Sequence, residues 1–167
     1  MSQRESDAGV LVSACLLGRK VRYDGGHSQA ESAILARWKA EGRICVFCPE
    51  VSGGLPTPRP PAEIVGGTGA DVLDGHARVV TEEGQDVTAS FVRGAHNALR
   101  AALEAGAKVA VLKSKSPSCG SKTIYDGTFS GTRLAGQGVT AALLGRHGIR
   151  VFDEAEFAAA DAYLRGQ

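Results

Sequence analysis

The sequence predicts an α/β fold: a three-layer, Rossmann-like domain with a mainly parallel sheet and small antiparallel hairpins. Three observations carry this. Short, mostly apolar runs, each the length of a buried strand, recur at Val10–Ala14, Ile44–Phe47, Val109–Leu112 and Ile149–Phe152. Amphipathic helical segments separate them, and that alternation builds a parallel sheet with helices packed on it. Two further stretches, one around residues 62–81 and one around Asp126-Gly127, carry the signature of short antiparallel pairs.

In chain order, a polar leader over residues 1–9 precedes the first strand, Val10–Ala14, which runs directly into Cys15. A loop follows from Leu16 to His27, with Tyr23-Asp24-Gly25-Gly26 as its turn signal. Ser28 and Glu31 form a capping box for a helix. Its apolar side carries Ile34, Leu35 and Trp38, and Gly42 stops it. Ile44–Phe47 is the second strand, ending at Cys48. Five of the six prolines then fall between Pro49 and Pro61, a composition that predicts neither helix nor central strand there. A connection of this length inside a compact domain is as a rule functional. Within it, Ala62–Val65 is expected to pair antiparallel with Ala77–Thr81.

Asp86 or Thr88 is the expected cap of a long helix with Phe91, Ala95, Leu99 and Leu103 at four-residue spacing, stopped by Gly106. Strand Lys108–Leu112 follows. Asp126-Gly127, between Thr123-Ile124-Tyr125 and Thr128-Phe129-Ser130, reads as a two-residue hairpin turn. Gly136-Gln137-Gly138 opens a helix through Arg146, and Gly148 stops it. Ile149–Phe152 is the last strand, and Glu154–Leu164 a terminal helix with Phe157, Ala160 and Leu164 on one side.

Composition narrows the function classes. Residues 1–167 are expected to form one domain, long enough to bury roughly two-thirds of its unfolded surface. A formal charge of +1 gives no general attraction to duplex nucleic acid or to an anionic membrane. No apolar run approaches the ~20 residues that span a bilayer, and the N-terminus lacks the apolar core of a secretory signal. The expectation is a cytoplasmic protein, whose thiols stay reduced. Four cysteines in that compartment point to metal binding or catalysis rather than to disulfides. Nothing in the sequence specifies an oligomeric state.

In open α/β sheets, ligands bind beyond the C-terminal ends of the strands. That rule gathers Cys15, Cys48 and the loop Lys113-Ser-Lys-Ser-Pro-Ser-Cys-Gly-Ser121, which contains Cys119, on one rim. Three thiolates suit a soft-ligand centre, zinc or an iron–sulfur cluster, and leave one coordination position open. Glu50, in Cys48-Pro49-Glu50, is a candidate general acid or base. Ser116 and Ser118 flank Pro117 and offer a hydroxyl, while Lys113 and Lys115 would balance thiolate charge.

Other readings compete. Cys45 lies inside a strand and reads as a small core residue. Paired with Cys48 as a CxxC, it would instead suit a non-catalytic thiol redox or sulfur-carrier protein. A zinc-dependent hydrolase or deaminase is a further alternative, but only Cys48-Pro49-Glu50 matches half of the deaminase signature. The four histidines are scattered without ligand spacing, and no phosphate-binding glycine motif occurs.

The motifs Ser-Ala-Cys-Leu-Leu-Gly (13–18), Val-Arg-Tyr-Asp-Gly-Gly-His (21–27), Cys-Pro-Glu-Val (48–51), Gly-Gly-Leu-Pro-Thr-Pro-Arg-Pro-Pro-Ala-Glu (53–63) and Lys-Ser-Lys-Ser-Pro-Ser-Cys-Gly (113–120) together resemble the thiouracil desulfidase (TudS-like) family. The likeness runs from about Val10 to about Asp153. It implies a 4Fe–4S cluster held by Cys15, Cys48 and Cys119, with one iron open to substrate. It also implies that a glutamate, matching Glu50, and a serine, matching Ser116 with Ser118 the weaker match, act beside the cluster. The implied substrate is a small thiolated pyrimidine or nucleoside, of thiouracil or thiouridine type. Water replaces its sulfur, which leaves as hydrogen sulfide with no net electron transfer. Glu50 and Ser116 are expected to face the substrate from opposite sides, with Cys45 buried elsewhere.

Overall fold

The computed structural model describes residues 9–17 and 33–166; the Tyr23–Gly26 turn, His27 and the Ser28–Glu31 capping box lie outside the described residues. The four apolar runs form strands β1 (Val10–Ser13), β2 (Ile44–Phe47), β5 (Val109–Leu112) and β8 (Arg150–Asp153), in the order β2-β1-β5-β8. All three pairings are parallel. The alternation of side chains along a strand sorts the core into two halves. Leu11, Ala110 and Leu112 pack with helices α4 (Thr88–Glu104) and α5 (Val139–Arg146). Val10, Val12, Val109 and Val111 pack with α1 (Ala33–Ala40) and α6 (Phe157–Leu164). The result is the three-layer α/β/α arrangement expected from the alternation of elements.

The strand order reverses direction between β1 and β5, the switch point at which open α/β sheets bind ligands. Cys15 leaves β1 in a 3-10 turn, Ala14–Leu17, and the Cys119 loop leaves β5 beside it.

The proline-rich connection holds more structure than its composition predicts. Pro49 opens a one-turn helix, α2 (Pro49–Ser52). Proline fits the first turn because its missing N–H would have no helical partner there. A second short helix, α3 (Gly69–Leu73), is closed by a Thr68/Asp71 capping box. Strands β3 (Ala62–Val65) and β4 (Arg78–Thr81) form the expected antiparallel pair.

Helix α4 buries Phe91, Gly94, Ala95, Ala98, Leu99 and Ala102, whereas Leu103 is 58% exposed. Each four-residue step advances about 40° around a helix, so Leu103 lies about 120° from Phe91 and leaves the buried face. Val87 occupies the N-cap, and Asp86 instead accepts the Thr88 N–H at 2.9 Å.

Two other boundaries shift. Strand β6 (Thr123–Tyr125) pairs with β7 (Arg133–Ala135), not with residues 128–130, so the connection is longer than a two-residue turn. Asp126 accepts the Thr128 N–H at 3.0 Å, and Phe129 takes φ 55°, which breaks the extended chain. The terminal helix starts at Phe157, because the Glu154 carboxylate is taken up by Lys113 and Ser114.

Candidate functional site

A cavity of about 600 Å³ opens at the C-terminal rim of the sheet, and Cys15, Cys48, Cys119, Glu50 and Ser116 all line it. Each arrives by a separate local device.

The Cys119 loop is a turn closed by the Gly120 N–H on the Ser116 carbonyl at 2.9 Å. The Ser116 hydroxyl oxygen accepts the N–H groups of Ser118 and Cys119, each at 3.0 Å, so the serine fixes the cysteine's backbone. The N-terminus of α5 then receives the loop's carbonyls: Val139 N–H reaches Pro117 O at 2.8 Å, and Thr140 N–H reaches Ser118 O at 2.9 Å. Ser118 is fully buried, and its hydroxyl meets that of Thr140 at 2.7 Å. It is therefore turned away from the cavity that Ser116 lines.

Ser13, at the end of β1, ties this loop to the sheet. Its hydroxyl oxygen accepts the Lys113 N–H at 3.0 Å, and its O–H donates to the Cys119 sulfur at 3.9 Å.

Helix α2 carries Glu50 two residues after Cys48 and lies on α4. The contact is so close that a Cβ on Gly94 would stand 2.0 Å from the Pro49 carbonyl oxygen. Only glycine permits that approach. Asn97 and Arg93 of α4 donate to the carbonyls of Ser52 and Gly53, at 3.3 and 3.0 Å, and fix the C-terminal end of α2.

The Glu50 side chain is 19% exposed and pairs with Arg59, whose own side chain is only 4% exposed. Arg59 Nη2 and Nε reach Glu50 Oε1 at 3.2 and 3.3 Å, leaving Oε2 outside the ion pair. Arg59 is itself aimed by the Pro56 carbonyl at 3.0 Å and the Thr57 hydroxyl at 3.1 Å. Burial pushes the Glu50 carboxyl up from its ordinary value, against the opposing charge and hydrogen bond of Arg59 and a hydrogen bond from Ser116. Glu50 and Ser116 both line the cavity, one from α2 and the other from the Cys119 loop.

The thiols are electrostatically linked. Burial raises the Cys119 thiol well above its ordinary value, and the charges of Cys48, Glu50 and Cys15 raise it further. Burial likewise raises Cys48, opposed by the backbone N–H of Val51. None of the four cysteines is in a disulfide. Cys45 packs against the hydrophobic core and does not line the cavity, so the CxxC pair shares no open space. Among the described residues, no three His, Cys, Asp or Glu side chains form a set that could hold a single metal ion. His76, His96 and His147 are all exposed and away from the cavity. Lys113 is held by Glu154 at 2.8 Å, while Lys115 remains exposed at the cavity edge. No helix among the described residues is long and apolar enough to cross a membrane.

A family model described as 2-thiouracil desulfurase matches residues 10–156. The chain belongs to that family. It is 50% identical to the uncharacterized protein YbbK of Bacillus subtilis (strain 168) over 147 residues, 88% of this chain and 96% of that protein. The solved structure of the [4Fe-4S]-dependent thiouracil desulfidase TudS is 51% identical, with a TM-score of 0.86, and covers 96% of this chain and 99% of its own. Against this desulfurase background, three site residues stand out that the motifs alone did not single out: Arg59, Ser13 and Glu63. Arg59 and Glu63 sit in the quoted 53–63 motif, but only the fold reveals that one neutralises Glu50 and the other faces the cavity.

Proposed function

We propose that this chain is a one-domain, [4Fe-4S]-dependent desulfidase that removes the sulfur of thiouracil or a related thiolated pyrimidine by hydrolysis, in a reducing cytoplasm. The observation that carries the reading is the convergence of Cys15, Cys48 and Cys119 from three strand ends on one cavity that also holds Glu50 and Ser116. Family membership and the likeness to TudS support it.

The donor set fits such a cluster. Burial and the charges of Cys48 and Cys15 raise the proton affinity of the Cys119 thiol, so its thiolate needs a cationic partner, which a metal centre would supply. All three cysteines line one cavity, as a cluster that offers each thiolate a different iron would require. When bound, the cluster provides a Lewis-acidic iron for the substrate's sulfur.

The chain's own residues do the rest. The cavity encloses a planar ring with its sulfur toward the thiol end. Glu50, with Oε2 outside the ion pair, takes a proton from the water that adds at the sulfur-bearing carbon, then returns it as the carbon–sulfur bond breaks. Arg59 keeps the carboxylate from turning out of line. Ser116 holds the Cys119 backbone and lowers the Glu50 carboxyl against the upward push of burial. The balance is thiouracil plus water giving uracil plus hydrogen sulfide, with no oxidant or reductant consumed.

The test uses anaerobically reconstituted protein and 2-thiouracil in ¹⁸O-labelled water. The expected result is equal sulfide and uracil, with one ¹⁸O in the uracil and no electron donor required. Absence of sulfide, or a need for a reductant, would overturn the proposal.

A further inference from the structure

One part of the cavity lining contains residues that the desulfidase reading does not use. It is formed by β3 and by the connection between β6 and β7, with Glu63, Tyr125 and Phe129 along it. Phe129 adopts φ 55°, in the left-handed region that bulky side chains rarely occupy. Such a conformation persists where the surroundings over-determine it.

Here the surroundings are specific. Glu63, a buried carboxylate on β3, accepts the N–H groups of Gly127 at 2.9 Å and of Phe129 at 3.2 Å, both on Oε1. The Asp126 N–H donates to the Thr132 carbonyl at 3.0 Å and closes the connection. Gly127, at φ 92°, lies so close to β3 that a Cβ would stand 2.6 Å from the Ile64 carbonyl oxygen. The connection is thus a braced wall, and its Phe129 is half-buried and lines the cavity.

We infer that Phe129 stacks on the face of the pyrimidine ring and that Glu63 is the positioning residue that sets it there. This deepens the desulfidase reading of the same cavity and rests on it. A flat heteroaromatic ring whose sulfur points to the thiol end presents its face to a side wall, and an aromatic face is the complementary surface. Stacking of a base on an aromatic side chain is worth about 5- to 150-fold in affinity.

Calorimetric titration of cluster-loaded protein with uracil tests this, because uracil has the ring but no sulfur to bind iron. Phe129→Leu, which keeps apolar bulk without an aromatic face, should weaken uracil binding within that range. It should also raise KM for 2-thiouracil with little change in kcat and the same visible absorption. Glu63→Leu should reproduce this split, whereas Glu63→Gln, which keeps an oxygen to accept both N–H groups, should bind as the wild type does. Wild-type uracil affinity in Phe129→Leu overturns the inference, as does equal weakening in Glu63→Gln and Glu63→Leu. If Glu63→Leu does not fold, Phe129→Leu decides alone. A wild-type protein that releases no sulfide overturns the desulfidase reading, while the uracil titration still decides the role of Phe129.

Discussion

Replacing Gly94 with alanine should damage catalysis from a position outside the cavity. The added Cβ would stand 2.0 Å from the Pro49 carbonyl oxygen, where ordinary contact begins at 3.4 Å. Helix α2 must therefore move away from α4 by more than about 1 Å, since both atoms in conflict are tied to backbone. No easy path exists, because α2 also packs tightly at Gly53, where a Cβ would stand 2.1 Å from the Ser90 carbonyl oxygen, and Asn97 and Arg93 grip the same turn. Pro49 lies between Cys48 and Glu50, so the shift is delivered to both. A misplacement of about 1 Å can cost roughly a hundredfold in rate, and overpacking costs about 1–3 kcal/mol of stability. Sulfide release from 2-thiouracil and thermal unfolding read the two effects. Gly145→Ala on α5 is the control: its Cβ would meet nothing within 4 Å, so activity should be unchanged and stability equal or slightly higher. Full activity in Gly94→Ala would refute the claim that the α2–α4 contact sets the site.

Glu50→Gln keeps shape and hydrogen bonding but cannot exchange a proton; kcat should fall by about a hundred- to ten-thousand-fold with the visible absorption intact. Ser116→Ala should lose activity while retaining iron, measured by iron content beside sulfide release, because it frees the Glu50 carboxylate and two loop N–H groups without removing a thiol. Asp161 offers a test of stability away from the site. Burial pushes its carboxyl up, but hydrogen bonds from Arg37 and from Trp38, the latter at 3.2 Å, outweigh burial and hold it below the usual carboxylate range. Its stabilisation is therefore complete above about pH 4 and is lost as pH falls through the depressed value. Asp161→Asn should cost about 1–2 kcal/mol at pH 7, discounted for the exposure of Arg37 and Arg165, and the gap to the wild type should close in strong acid.

The sheet was legible because its signal is local. Four apolar runs, each bounded by a turn or a cysteine, carry the parallel strands, and their C-terminal ends alone gather Cys15, Cys48 and Cys119. The exclusion of Cys45 followed from its place inside β2. What failed to show in the sequence depends on contacts far apart in the chain. Pro49 reads as a helix breaker until α4 is seen to supply α2 with a packing surface through Gly94. That Ser116 lines the cavity while Ser118 does not goes with Thr140, whose hydroxyl meets that of Ser118 from 22 residues away. Asp126-Gly127 carries a hairpin signature, yet Glu63 on another strand holds that segment in a wider connection. Arg59 is one arginine among prolines until the fold lays it on Glu50.

The central claim is that three of the four cysteines hold the cluster and the fourth does not. Iron and acid-labile sulfide content, read with visible absorption after anaerobic reconstitution, tests it in four single variants. Cys15→Ser, Cys48→Ser and Cys119→Ser should each lose the brown absorption and most of the iron, while Cys45→Ala keeps both. Loss of the cluster in Cys45→Ala, or its full retention in any of the other three, would contradict the account.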